Sequence, residues 1–271
     1  MAAARHENDS RPDSNRPLEP ADPPACPDGW HVGPPDFVGV GAQRCGTTWW
    51  HRVVCAHPGV CFEAGIHAKE VHFFDTLEEL DGLSAADVER YHRHFPRPPG
   101  GLLAGEWTPR YMQDPWVAPQ LAQAAPEARV LVLLRDPVDR FASGFARGRR
   151  LAAERGITGT DAELREHHLD LSMYADKLER LLDAFGREQV LVLQYESCRE
   201  RFADELRRTF EFLGLDPDQG PSPQPPREPR DRPMPEDERE RLAGRFEPDV
   251  RKLAALLPEL DIALWQSLNR R

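Results

Sequence analysis

Glycines at 41 and 46, with Thr47 and Thr48 following at once, close a short apolar run over residues 37–40. This is nearly the phosphate-cradling pattern G-x-x-x-x-G-K-[ST], in which backbone N–H groups at a helix start surround an anion. The lysine of that pattern is missing. Thr47 stands in its place, and the nearest cation is Arg44, three residues earlier. Such a loop still forms a nest of amides for an anion, but it is poorly equipped for the β- and γ-phosphates of ATP. The spacing predicts a loop for a different phosphorylated donor.

A second candidate site begins where the apolar run 129–134 ends abruptly in Arg135-Asp136-Pro137, with Ser143 further along the helix that follows. A guanidinium and a hydroxyl at the carboxyl end of a strand can hold a phosphate through charge-assisted bonds. The alternative is that Arg135 pairs with Asp136 or Asp139 as strand punctuation. Together with the first loop, the pair of sites favours a ligand with two separated phosphate-like groups.

The elements that must position these residues follow from the apolar pattern. Short continuous apolar runs predict strands at 36–40, 59–63, 101–106, 129–134 and 189–195, as expected where both faces of a sheet are covered. Helices fall between them. Ser84 and Asp87 form a capping box, Asp114-Pro115 opens a helix with proline at its first position, and Ser197 with Glu200 forms another capping box. Tyr174, Leu178, Leu181, Leu182 and Phe185 recur at helical spacing, as do Leu242, Phe246, Val250, Leu253 and Leu257 in a last helix at about 236–257. Alternating strands and helices imply an α/β, P-loop-like fold. Its central parallel sheet has about five strands flanked by helices, with ligands at their carboxyl ends. Residues 1–35 carry eight prolines and few apolar residues and read as a disordered tail, leaving 36–271 as the domain. A second stretch with eight prolines spans 216–235.

Composition narrows the function. The chain has 271 residues, 39% of them hydrophobic, enough for one α/β domain with a sizeable core. It holds no apolar run long enough to span a membrane, and its first residues lack the apolar core of a secretory signal. Five scattered cysteines fit neither a disulfide framework nor a zinc spacing and point to a reducing cytoplasm. A net charge of −11 argues against nucleic acid as a partner.

In order along the chain, the loop GAQR-x-GTT, KEVHFFD (69–75), GEWTPRYM (105–112), RDPVDR-x-x-S (135–143) and FEFLGL (210–215) resemble the sulfotransferases that use 3′-phosphoadenosine 5′-phosphosulfate (PAPS). The pattern is similar to a bacterial branch related to the heparan sulfate N- and O-sulfotransferases, and the arginine, alanine and proline content fits a GC-rich bacterial source. The resemblance covers about 36–260. It implies that Arg44, Cys45, Gly46, Thr47 and Thr48 bind the donor's 5′-phosphosulfate, with Arg44 replacing the usual lysine at the bridging oxygen. Arg135 and Ser143 would bind the 3′-phosphate. Glu70 matches the catalytic base of glucosaminyl 3-O-sulfotransferases. Trp107 stands where those enzymes have a substrate-contacting lysine, suggesting an apolar or aromatic acceptor surface, and Lys69, His72 and Tyr111 join it at the acceptor. Arg230 and Arg232 fall in a stretch similar to a late loop that closes over the donor, with Asp231 replacing its glycine. The cysteine pair that brackets that loop in secreted relatives is absent. The product would be adenosine 3′,5′-bisphosphate.

The chemistry agrees with those roles. Sulfuryl transfer is an in-line displacement, and a guanidinium with backbone N–H donors stabilises the charge on the leaving oxygen. The acceptor hydroxyl needs one general base. Glu70, next to a sheet end, can supply it. His67 and His72 are rival bases, though each is read first as a structural histidine. No metal is required. The acceptor is a small molecule or a glycan, sulfated at oxygen or, as the close alternative, at nitrogen. The other readings are a nucleotide kinase, disfavoured by the missing lysine, and a catalytically inactive donor-binding protein.

Overall fold

In the computed structural model, the structure describes residues 20–63, 65–77, 82–156, 161–222 and 234–268. Its sheet has four strands: β1 (Phe37–Gly41), β2 (Gly105–Trp107), β3 (Arg129–Leu134) and β4 (Val190–Gln194). All pairings are parallel, in the order β2-β1-β3-β4. Every residue of β1 and β4 is buried, and all of β3 after Arg129, so both faces are covered. The helices are α1 (Thr47–Cys55), α2 (Ala85–His92), α3 (Val117–Ala124), α4 (Pro137–Arg155), α5 (Asp161–Leu171), α6 (Ala175–Phe185), α7 (Tyr195–Glu200), α8 (Phe202–Leu213) and α9 (Glu236–Leu256). None is long and apolar enough to cross a membrane.

The α/β class agrees with the sequence, but the sheet has four strands, not about five. The run 59–63 forms only a single bridge, between Val60 and Leu103. The N–H of Gly59 is taken by the His57 imidazole at 2.9 Å, that of Val60 by the His57 carbonyl at 3.0 Å, and that of Glu63 by His67 Nδ1 at 3.0 Å. Donors spent on local histidines cannot extend a ladder. The capping box at Ser84–Asp87 forms, but Ser197 caps nothing. Helix α7 already starts at Tyr195, and the Ser197 hydroxyl donates to Glu205 Oε1 at 2.5 Å. The helix after Asp114-Pro115 begins only at Val117. The last helix runs as expected, with Leu242, Phe246, Val250, Leu253 and Leu257 all buried. His31 exchanges backbone hydrogen bonds with Arg97 at 3.0 and 2.9 Å, so ordered chain begins ahead of residue 36.

Chain order and strand order together fix where a ligand belongs. From β1 the chain first adds β2 on one side and then β3 on the other. The switch point lies at the carboxyl ends of β1 and β3, where crevices open in such sheets.

Candidate active site

The turn after β1 sits at this switch point. Ala42 N–H donates to Leu133 O of β3 at 2.9 Å, tying the loop to the neighbouring strand end. Arg44 (φ 69°) and Gly46 (φ 90°) both lie in the left-handed region, which turns the chain sharply into α1. Thr47 and Thr48 open α1, so their N–H groups have no intrahelical acceptor and point at the space before the helix. Across that space the Arg44 guanidinium donates from Nε and Nη2 to Ser143 Oγ of α4, at 3.2 and 2.9 Å. Arg135, leaving β3, lies over the Tyr195 ring with Cζ 5.0 Å from its centroid. Its Nε is buried without a hydrogen-bond partner.

Residues outside the predicted set shape this loop. Arg140 is fully buried and donates from Nε to Gln43 O at 3.1 Å; its Nη1 reaches His168 O at 3.2 Å and Ser172 Oγ at 3.3 Å. The loop is thereby fastened to the end of α5. The signal was within RDPVDR itself, five positions after Arg135. Tyr195, first residue after β4, supports Arg135 and also crowds Gly46, where a Cβ would lie 2.7 Å from its ring. Cys45 Sγ is buried 3.7 Å from the Tyr174 hydroxyl, and burial pushes its thiol up to about 11, so the loop presents it as a neutral packing group.

The second half of the site hangs from β2. Trp107 N–H donates to Lys69 O at 2.7 Å, and Val71 N–H to Glu106 Oε2 at 3.1 Å and Thr108 Oγ1 at 3.0 Å. These bonds strap the 69–73 segment to the carboxyl end of β2. Lys69 Nζ forms an ion pair with Glu70 Oε1. Glu70 Oε2 lies 3.3 Å from His72 Nε2, and His72 Nδ1 lies 2.8 Å from Asp75 Oδ2, which is fully buried and 3.5 Å from Arg110 Nε. Burial alone would raise the Glu70 carboxyl, but His72 and Lys69 together hold it down to about 2. Burial works against a charged His72; Asp75 and Glu70 outweigh it and lift the imidazole to about 9. Buried His51 on α1, one turn past Thr47, feels both Lys69 and Glu70. The Glu70 side of the site is therefore within electrostatic reach of α1.

The profile of the sulfotransferase domain family matches residues 34–224. The chain belongs to the sulfotransferase family. A sulfotransferase from Alicyclobacillus acidocaldarius superposes with a TM-score of 0.68 and 28% identity, covering 87% of this chain and all of that one. The human heparan sulfate glucosamine 3-O-sulfotransferase 6 is 28% identical over 191 residues, 67% of this chain and 52% of that protein. The membrane-associated sulfotransferase kil1 of Dictyostelium discoideum is 31% identical over 114 residues, 41% of this chain. The chain spans 22% of the length of kil1 and about half of the human enzyme.

Of the residues singled out in the sequence, the structure gathers Arg44, Gly46, Thr47, Thr48, Arg135 and Ser143 at the ends of β1 and β3, and Lys69, Glu70 and His72 at the end of β2. Two acceptor assignments are corrected. Trp107 is fully buried, its ring filling the space a Cβ at Gly39 would need and its Nε1 donating to Gly41 O at 3.3 Å. Tyr111 is 1% exposed, and its hydroxyl accepts the Phe73 N–H at 2.9 Å. Both hold the site up from beneath and offer no surface to an acceptor. His67 is likewise structural: Nε2 donates to Pro96 O at 2.7 Å while Nδ1 accepts from Glu63. Arg230 and Arg232 lie outside the described residues. Among the described residues, no cluster of His, Cys, Asp and Glu is arranged to hold a metal ion.

Proposed function

We propose that this sulfotransferase transfers the sulfuryl group of PAPS to a hydroxyl of a small or medium acceptor, a natural product or a glycan. The observation that carries this reading is the convergence at one sheet edge of an anion nest, two arginines and a carboxylate flanked by two cations. The residues fit a donor with two anionic groups. The first N–H groups of α1 and Arg44 face one, while Arg135, with its unpartnered buried Nε, and Ser143 face the other. Bound there, the donor supplies the sulfuryl group and departs as adenosine 3′,5′-bisphosphate.

The chain's own residues do the rest. Arg44 and the α1 amides carry the charge that builds on the phosphate side as transfer proceeds. Glu70 takes the proton of the acceptor hydroxyl. With Lys69 and His72 both against it, Glu70 is a weak base in the free protein. An anionic donor beside Lys69 competes for that ammonium and strengthens Glu70 as a base once the ternary complex forms. The heparan sulfate enzymes among its relatives support a glycan as one acceptor class.

Incubation with sulfuryl-labelled PAPS and a panel of phenols, aliphatic alcohols and glucosamine oligosaccharides, read by mass, tests the transfer. Calorimetry comparing adenosine 3′,5′-bisphosphate with ATP tests the donor class. Tighter binding of ATP, with no acceptor sulfated, would overturn the reading.

A further inference from the structure

The family profile ends at residue 224, yet the turn that carries Arg135 is gripped from beyond it. Asp136 divides its carboxylate. Oδ1 caps α4, accepting from Val138 N–H at 2.9 Å, and Oδ2 accepts from both the N–H and the hydroxyl of Ser267, at 3.0 and 2.5 Å. Glu196 bridges in the same way. Its Oε1 accepts the Asp136 N–H at 3.0 Å and its Oε2 the indole N–H of Trp265 at 3.0 Å. Arg239 closes the set, donating to Ser267 Oγ at 2.8 Å and to Asp139 Oδ1 at 2.7 Å on the first turn of α4. Trp265 is fully buried and Ser267 is 8% exposed. The backbone and side chain of Asp136, next to Arg135, thus end on two residues near the end of the chain.

We infer that the segment 265–267 is a positioning element of the donor site, in which Ser267 through Asp136 and Trp265 through Glu196 fix the turn that aims Arg135. The inference rests on the reading of Arg135 as a ligand of the donor's 3′-phosphate. Neither Trp265 nor Ser267 touches the donor. They act by holding the Arg135–Asp136 peptide and the start of α4 in one arrangement, so that the guanidinium over Tyr195 needs no reordering when the anion arrives. Preorganisation of this kind appears first in affinity for the group that Arg135 contacts.

The test compares two nucleotides that differ in that group alone. Calorimetric titrations of adenosine 3′,5′-bisphosphate and of adenosine 5′-phosphate are run on the wild type, Ser267→Ala, Ser267→Thr and Trp265→Phe. Expected is a loss of about 3- to 30-fold for the bisphosphate in Ser267→Ala and Trp265→Phe. Binding of adenosine 5′-phosphate stays unchanged, and Ser267→Thr, which keeps the hydroxyl, recovers the wild-type value. If Trp265→Phe unfolds, the serine pair decides alone. Equal losses for both nucleotides, or none for either, would show the segment to be a structural anchor and overturn the inference. A wild type that binds the two nucleotides equally would instead overturn the 3′-phosphate reading of Arg135, and the inference with it.

Discussion

Arg44 and Ser143 stand 99 positions apart and meet through two hydrogen bonds; each was singled out from its offset to a strand end, but as a ligand of a different anionic group, and their direct contact was not legible in the sequence. If Arg44 stabilises charge mainly as transfer proceeds, Arg44→Ala should lower kcat about 10²- to 10³-fold while donor affinity changes much less. Arg44→Lys should restore part of the rate. Steady-state kinetics beside donor titration separates the two effects, and an unchanged kcat would assign the stabiliser elsewhere. Glu70→Gln keeps the size of the side chain and should leave donor binding intact while turnover falls about 10²- to 10⁴-fold. Turnover that survives Glu70→Gln but disappears in His72→Ala would move the base to the imidazole. What the sequence hid at this scale is side-chain direction. Trp107 and Tyr111 neighbour Glu106 and Thr108 in a segment whose regular strand is only three residues long. Too little period-2 pattern was available to say that both rings turn into the core.

At the scale of elements, the phosphate loop depends on a backbone conformation as much as on its side chains. Gly46 combines φ 90° with the Tyr195 ring close by. Gly46→Ala therefore meets both a left-handed backbone cost of about 1–2 kcal/mol and a collision with the residue that supports Arg135. Lower melting temperature and weakened binding of adenosine 3′,5′-bisphosphate are expected together. Gly244 is the counter-example: it lies exposed within α9 with nothing near its missing Cβ. Gly244→Ala should stabilise by about 0.5–1 kcal/mol, visible in a melting curve as a rise with nucleotide binding unchanged. A fall in Gly244→Ala, or a Gly46→Ala variant that binds and melts like wild type, would contradict this account. Strands β1, β3 and β4 were legible because continuous apolar runs of five or six residues need burial on both faces. The run at 59–63 begins with a similar apolar stretch, Gly59 to Phe62. It failed to become a strand because His57 and His67, both close in sequence, captured its N–H groups, a competition that apolar patterning does not register.

At the scale of the whole molecule, strand order was not legible in the sequence, nor was the contribution of the C-terminal segment, since both depend on contacts between residues far apart in the chain. The ionic chain from Glu70 through His72 to Asp75 has a consequence at this scale too, because a group titrating differently in the folded and unfolded chain makes the stability of the cooperative unit depend on pH. His72 is lifted from its ordinary 6.5 to about 9 by Asp75 and Glu70, against the opposing effect of burial. Below pH 6.5 both the folded and unfolded chains hold the proton, and the contribution is fully present. Between 6.5 and about 9 the unfolded chain has released the proton while the folded one keeps it, so stability falls as pH rises; above about 9 the contribution is gone. Glu106 and Glu196, pushed up to about 7 by burial, add their own loss of stability as pH rises through about 7, in the wild type and in a His72 variant alike. Cys45 and Cys55, pushed up by burial to about 11 and 12, add a further fall that sets in near the ordinary thiol value of 9.0, again in both proteins. Calorimetric melting from pH 7 to 9 should therefore show a declining melting temperature for the wild type. His72→Gln should start lower at pH 7 and fall less steeply than the wild type across the range. The same slope in both proteins would mean that the two carboxylates do not hold a charged imidazole between them, and the weak basicity ascribed to Glu70 in the free protein would then rest on Lys69 alone.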